Sequence, residues 1–60
     1  MNSRKFKYLS ISQGQIKLNA STDEFAEALH AVSQACKESG DQGSVIRVSD
    51  GFVMFQKIVT

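Results

Sequence analysis

Sixty residues hold one domain, and a chain this short buries only about 60% of the surface its unfolded form exposes, so its own core is marginal. With one cysteine, Cys36, and one histidine, His30, neither an internal disulfide nor a four-ligand Cys/His zinc site can reinforce that core, which leaves tight packing or a second subunit. A net charge of +1 argues neither for nor against nucleic acid, no apolar run has the length of a membrane span, and Arg4, Lys5 and Lys7 precede no apolar signal-peptide core.

The expected location is therefore the cytoplasm, and a lone cysteine on an apolar stripe fits such a reducing compartment. The distribution of charge says more than its sum. Four of the six acids, Asp23, Glu24, Glu27 and Glu38, fall in the segment Ser21 to Gly40, and six of the seven bases lie outside it. An acidic helix side and a basic sheet side follow.

Residues 1–5 are polar and expected to fray, a basic arm touching phosphate being the alternative. Phe6 to Ala20 reads as a β-hairpin with Gln13-Gly14 as its two-residue loop. In that register Leu9 faces Leu18 and Lys7 faces Ala20. Leu9, Ile11, Ile16, Leu18 and Ala20 then share one face, and Phe6, Tyr8, Ser10, Ser12, Gln15, Lys17 and Asn19 share the other.

Ser21 to Gly40 is the only stretch with a clear helical period. Phe25, Ala28, Leu29, Val32, Ala35 and Cys36 form its apolar stripe. Ser21 with Glu24 offers a capping box, Gly40 a left-handed exit, and the helix is expected over 22–39. Asp41-Gln42-Gly43 makes a short connection. Ser44 to Thr60 reads as a second hairpin around Asp50-Gly51. A two-residue loop places Ile46, Val48, Val53, Phe55 and Val59 on one face and Val45, Arg47, Phe52, Met54 and Ile58 on the other; a three-residue loop with a bulge would change the partners but leave both faces apolar.

The expected fold is α+β: a two-layer ββαββ domain over residues 1–60, a mainly antiparallel four-stranded sheet with one helix packed on one face. The hairpins do not determine which strands lie at the middle. If the helix covers Leu9, Ile11, Ile16, Leu18, Ile46, Val48, Val53 and Phe55, then Phe6, Tyr8, Val45, Phe52, Met54 and Ile58 are left on the helix-free side. Burying such a side chain stabilises by about 1.5–3 kcal/mol. Six left wet would forgo on the order of 10 kcal/mol, the scale of a small domain's whole stability. That face is expected to be covered, as contiguous apolar patches usually mark interaction sites.

Catalytic and metal chemistry find little purchase. His30 and Cys36 stand six positions apart, about 240° round a helix. Asp23 and His30 are about 10 Å apart along the axis. Glu27 and His30 have the spacing of half a di-iron site, without the second half. Gly40-Asp41-Gln42-Gly43 lacks the lysine and following helix of a phosphate loop, and Asp50-Gly51 lacks EF-hand ligand spacing. The chain is read as non-enzymatic, with no cofactor and no metal.

The format, a minimal ββαββ domain with no catalytic set, resembles small regulatory or inhibitory proteins such as those carried by phages. The function read from the residues is a protein-interaction module, a homodimer or a binder of a larger protein. Phe6, Tyr8, Val45, Phe52, Met54 and Ile58 are its expected anchors, with Lys17 and Arg47 at the rim. The second copy could pack sheet on sheet or join strands at an edge. The alternative is a single-stranded nucleic-acid binder stacking bases on Phe6, Tyr8 and Phe52, with Lys17 and Arg47 on phosphates.

Overall fold

The structure is a computed structural model that describes residues 4–60. The strands are β1 (Phe6–Ser12), β2 (Gln15–Thr22), β3 (Gln42–Arg47) and β4 (Phe52–Ile58), with the helix α1 (Phe25–Ala35) between β2 and β3. All neighbouring strands are antiparallel and the sheet order is β2-β1-β3-β4. The expected α+β fold, ββαββ with one helix on one face, is what the chain adopts. β1 and β3 lie at the centre. The helix crosses β1 to link β2 with β3 and packs on β1, β2 and β3.

The first hairpin turns at Gln13-Gly14 as the sequence suggests, both residues having positive φ (53° and 77°), the condition for the turn whose twist matches the strands. Its register departs from the expected one. Ile11 pairs with Ile16 but Ser10 pairs with Leu18, so Lys17 is an extra residue in a β-bulge. Beyond the bulge Leu9 opposes Asn19 and Tyr8 opposes Ala20. One inserted residue reverses the phase of β2 against β1, so the expected face assignment mixes two real faces.

The layer beneath the helix therefore contains Phe6, Tyr8 and Val45, not Leu9, Ile11 and Ile46. Val45 is completely buried with Ala28, Val32 and Cys36, and Phe6, Tyr8, Phe25, Leu29, Phe55 and Val59 pack around them. Alternation alone makes both faces of β1 apolar; volume chooses between them. The Phe6 ring meets the Phe25 ring at 5.3 Å between centroids, filling the space under the first turn. Under the last turn the sheet offers Ser10 and Gly43, which are paired neighbours. A Cβ on Gly43 would collide with Val32 and stand 2.8 Å from Cys36 Sγ. Only a glycine lets the helix come down this far.

The helix is shorter than the periodicity predicts. At its start Ser21 and Thr22 belong to β2, paired with Lys7 and Phe6. The capping box therefore does not form. Glu24 is the N-cap, with no side-chain cap, and its amide donates to Thr22 Oγ1 at 3.2 Å. Asp23 ties down the chain start: Oδ1 accepts the Lys5 amide at 3.1 Å and Oδ2 lies 3.6 Å from the Arg4 guanidinium. Of the stretch expected to fray, Arg4 and Lys5 are thus held, and Met1 to Ser3 lie outside the described residues.

At its end the helix gives way at Cys36. The Asp41 carboxylate accepts the amides of Lys37 and Glu38 at 3.1 and 2.9 Å, which draws those residues out of the helical path. Gly40 has the expected positive φ, 91°, but it serves this loop and not the helix cap. Its amide donates to Val59 O, and the Val59 amide donates to Asp41 O.

Candidate docking surface

β4 is the element that decides what this surface can do. It follows a four-residue turn, 48–51, in place of the two-residue loop expected, because Arg47 pairs with Phe52. Gly51 has φ 73°, and its amide closes the turn on Arg47 O at 2.8 Å. Arg47 locks the turn from the side: Nε and Nη2 donate to Oδ1 and Oδ2 of Asp50 at 3.0 and 2.6 Å. This fork holds the Asp50 carboxyl down at about 2, the Arg47 hydrogen bond being the largest cause. The Arg47 guanidinium also lies 5.3 Å from the Phe52 ring centroid.

A second bulge follows. Val45 pairs with Phe55 and Ile46 with Val53, leaving Met54 as the extra residue. Phe55 and Val59 lie on the helix side and pack on the core. Gln56 and Ile58, paired with Ser44 and Gln42, lie on the free side. The strand is outermost in the sheet, and the helix sits over the other three. Phe52, Val53, Met54 and Ile58 consequently expose 58, 49, 36 and 58% of their surface. Four large apolar residues are thus exposed on one outermost strand, Val53 and Ile58 on the free side and Phe52, paired through Arg47 with Phe6, on the helix side.

The free face is apolar further inward as well. The side chains of Leu9 and Ile11 are directed there, with Ile46 and Ile16, since their neighbours Tyr8 and Ser10 turn toward the helix. A shallow groove lined by Leu9, Ile11, Ser44 and Gln56 runs across it. So the helix-free side is apolar, as expected, but largely with a different set of residues.

Of the residues expected on the helix-free face, Phe52, Met54 and Ile58 are exposed on β4, but only Ile58 is paired on the free side; Phe52, opposite Arg47 and in line with Phe6, is on the helix side, and Met54 is the bulged residue between. Phe6, Tyr8 and Val45 are removed to the core. Their selection followed a register with no bulges, and each bulge shifts strand phase by one. Arg47 stays at the surface but is occupied by Asp50. Lys17, projecting from the β2 bulge, lines a cleft beside Gln34, Lys37 and Asp41 at the far end of the helix, away from β4. Val53 and Ile16, core residues by simple alternation, belong to the free surface; Asp50-Gly51 signals the turn but not its length.

The groups considered for chemistry remain apart. Cys36 is buried and its thiol is pushed up, first by loss of water and then by the Asp41 charge; His30 is exposed on the helix. Among the described residues no three His, Cys, Asp or Glu side chains cluster as a metal site would need, and no helix is long and apolar enough to cross a membrane. The chain matches no protein-family model, no curated protein and no solved structure.

Proposed function

We propose that this protein is a non-catalytic interaction module, a homodimeric regulator that acts by occupying a surface on a larger protein, and that β4 and the adjoining free face of the sheet are its docking surface. The supporting observation is the exposure of Phe52, Val53, Met54 and Ile58 on the outermost strand, while the helix packs mainly on the other three. Aromatic and Met side chains are enriched at interfaces and charged ones depleted. The only charged residue of β4 is Lys57. A cytoplasmic site of action belongs to the same reading, supported by the buried unpaired Cys36.

The stacking surface that nucleic-acid binding requires has less support. Phe6 and Tyr8 lie under the helix, and Phe52 alone of the three aromatics is free for a base.

Sedimentation tests the reading. The wild-type chain should sediment as a dimer at tens of micromolar, and Met54→Asp, which puts a charge into the patch without touching the buried layer, should be monomeric with its circular dichroism intact. A wild-type monomer, or a Met54→Asp dimer as tight as wild type, contradicts it.

A further inference from the structure

Where β1 begins and β3 ends, the chain borders a cleft of about 370 Å³ lined by Arg4, Lys5, Phe6, Arg47, Val48 and Ser49. That is the size at which a cleft takes a small ligand, and its surface is mostly apolar, as such sites are. Its frame is fixed at several points. The Val48 amide donates to Lys5 O at 3.0 Å, which carries the contact between β1 and β3 one step past the pair Phe6 and Arg47. The Lys5 amide donates to Asp23 Oδ1. The Phe6 ring rests against Phe25, and the Arg47 guanidinium is forked onto Asp50. A site held in this way loses little freedom when it is filled.

Charge selects the ligand. Three of the seven bases line this one cleft and no acid does. Two of the three have carboxylate neighbours outside it, Asp23 for Arg4 and Asp50 for Arg47. Lys5 makes no side-chain ion pair among the described residues, so one positive charge is left over. Arg4 lies 3.6 Å from Asp23, longer than a hydrogen bond, and that contact consumes none of its donors. The cleft at the far end of the helix is different: it sets Lys17 and Lys37 against Glu38 and Asp41 and has no surplus of either sign.

We propose that this cleft binds an apolar group carrying a single carboxylate, with the apolar body against Phe6 and Val48 and the carboxylate at Arg4 and Lys5. A guanidinium takes a carboxylate on two parallel N–H bonds, and the ammonium adds its charge. One surplus positive charge matches a monoanion and leaves a dianionic phosphate half unpaired. The carboxylate belongs either to a free small acid or to the last residue of a peptide. The proposal does not rest on the docking surface of β4.

Titrations followed by amide chemical shifts test this, using hydrocinnamate, its neutral amide and a short peptide ending in phenylalanine. Hydrocinnamate should move the amides of Phe6, Val48 and Ser49 in a saturable way. The neutral amide should bind roughly tenfold more weakly, the worth of one charge-assisted hydrogen bond, and the gap should narrow in high salt. A peptide that binds more tightly than hydrocinnamate makes the ligand a chain terminus, and one that binds more weakly makes it a free acid; either supports the site. Arg4→Gln, at an exposed position, should keep the fold and weaken hydrocinnamate by a similar factor. Ser49→Glu, which puts a carboxylate of the chain's own at the cleft, should keep the fold and abolish binding. Shifts that never saturate, equal binding of acid and amide, or unimpaired binding in both variants overturns the proposal.

Discussion

Gly43 and Asp41 act on the same turn of helix by different means. Gly43 lets Val32 and Cys36 descend onto β3, and adjacent Ser10 is also small, buried, and holds a hydroxyl with no partner among the described residues. Gly43→Ala must push the helix off the sheet or the strand out of register. It should lower stability by about 1–3 kcal/mol, the usual range for an overpacked core, read from urea unfolding. A loss under about 0.5 kcal/mol would mean the helix is not seated as described. Asp41 instead organises the loop after the helix. The Ser12 hydroxyl, then the Glu38 and Lys37 amides, hold its carboxyl below the usual carboxylate range against the opposing effect of burial. A carboxylate with a lowered folded pKa contributes stability that is whole above its unfolded value, about 3.9, and is lost as pH falls through the folded one. Asp50 has the same sign. Urea midpoints should therefore drop on acidification below about pH 4.5. Asp41→Asn should start lower at neutral pH and lose less on acidification; an acid limb parallel to wild type would contradict the role given to Asp41.

At the scale of elements, both hairpins, the helix and their order were legible in the sequence. Gln13-Gly14 and Asp50-Gly51 announce reversal, and the stripe from Phe25 to Cys36 announces a helix. Strand phase was not legible. It depends on bulges at Lys17 and Met54, and nothing in the local sequence distinguishes an extra residue in a strand from an ordinary one. The helix ends were misjudged for a related reason. Ser21 is a good cap in isolation, but pairing with Lys7 in β2 takes it first, and Asp41, remote from the expected cap, sets the exit. The true N-cap, Glu24, has extended backbone angles and no side-chain cap, leaving the first-turn amides without a local acceptor. Glu24→Asp supplies a shorter carboxylate suited to that position and should stabilise the protein by about 0.5–1 kcal/mol. Unchanged thermal stability would indicate that those amides are already satisfied.

For the molecule as a whole, the inference that one helix cannot cover two apolar faces survives the exchange of faces, because it depends on the number of apolar residues and not on their phase. What changes is where the surplus lies. It is concentrated on β4, the outermost strand, where Phe52, Val53, Met54 and Ile58 are exposed. Three of the expected anchors, Phe52, Met54 and Ile58, are on that strand; the aromatics that suggested a base-stacking platform are interior. A domain of this size with that much uncovered apolar surface should be measurably more stable when associated. Stability that includes subunit association rises with protein concentration by mass action. The most direct measurement is the thermal unfolding midpoint of the wild-type chain across a wide range of concentration. The account predicts a midpoint that climbs steadily with concentration and stops climbing in Met54→Asp. A wild-type midpoint that stays constant across the whole range would contradict it.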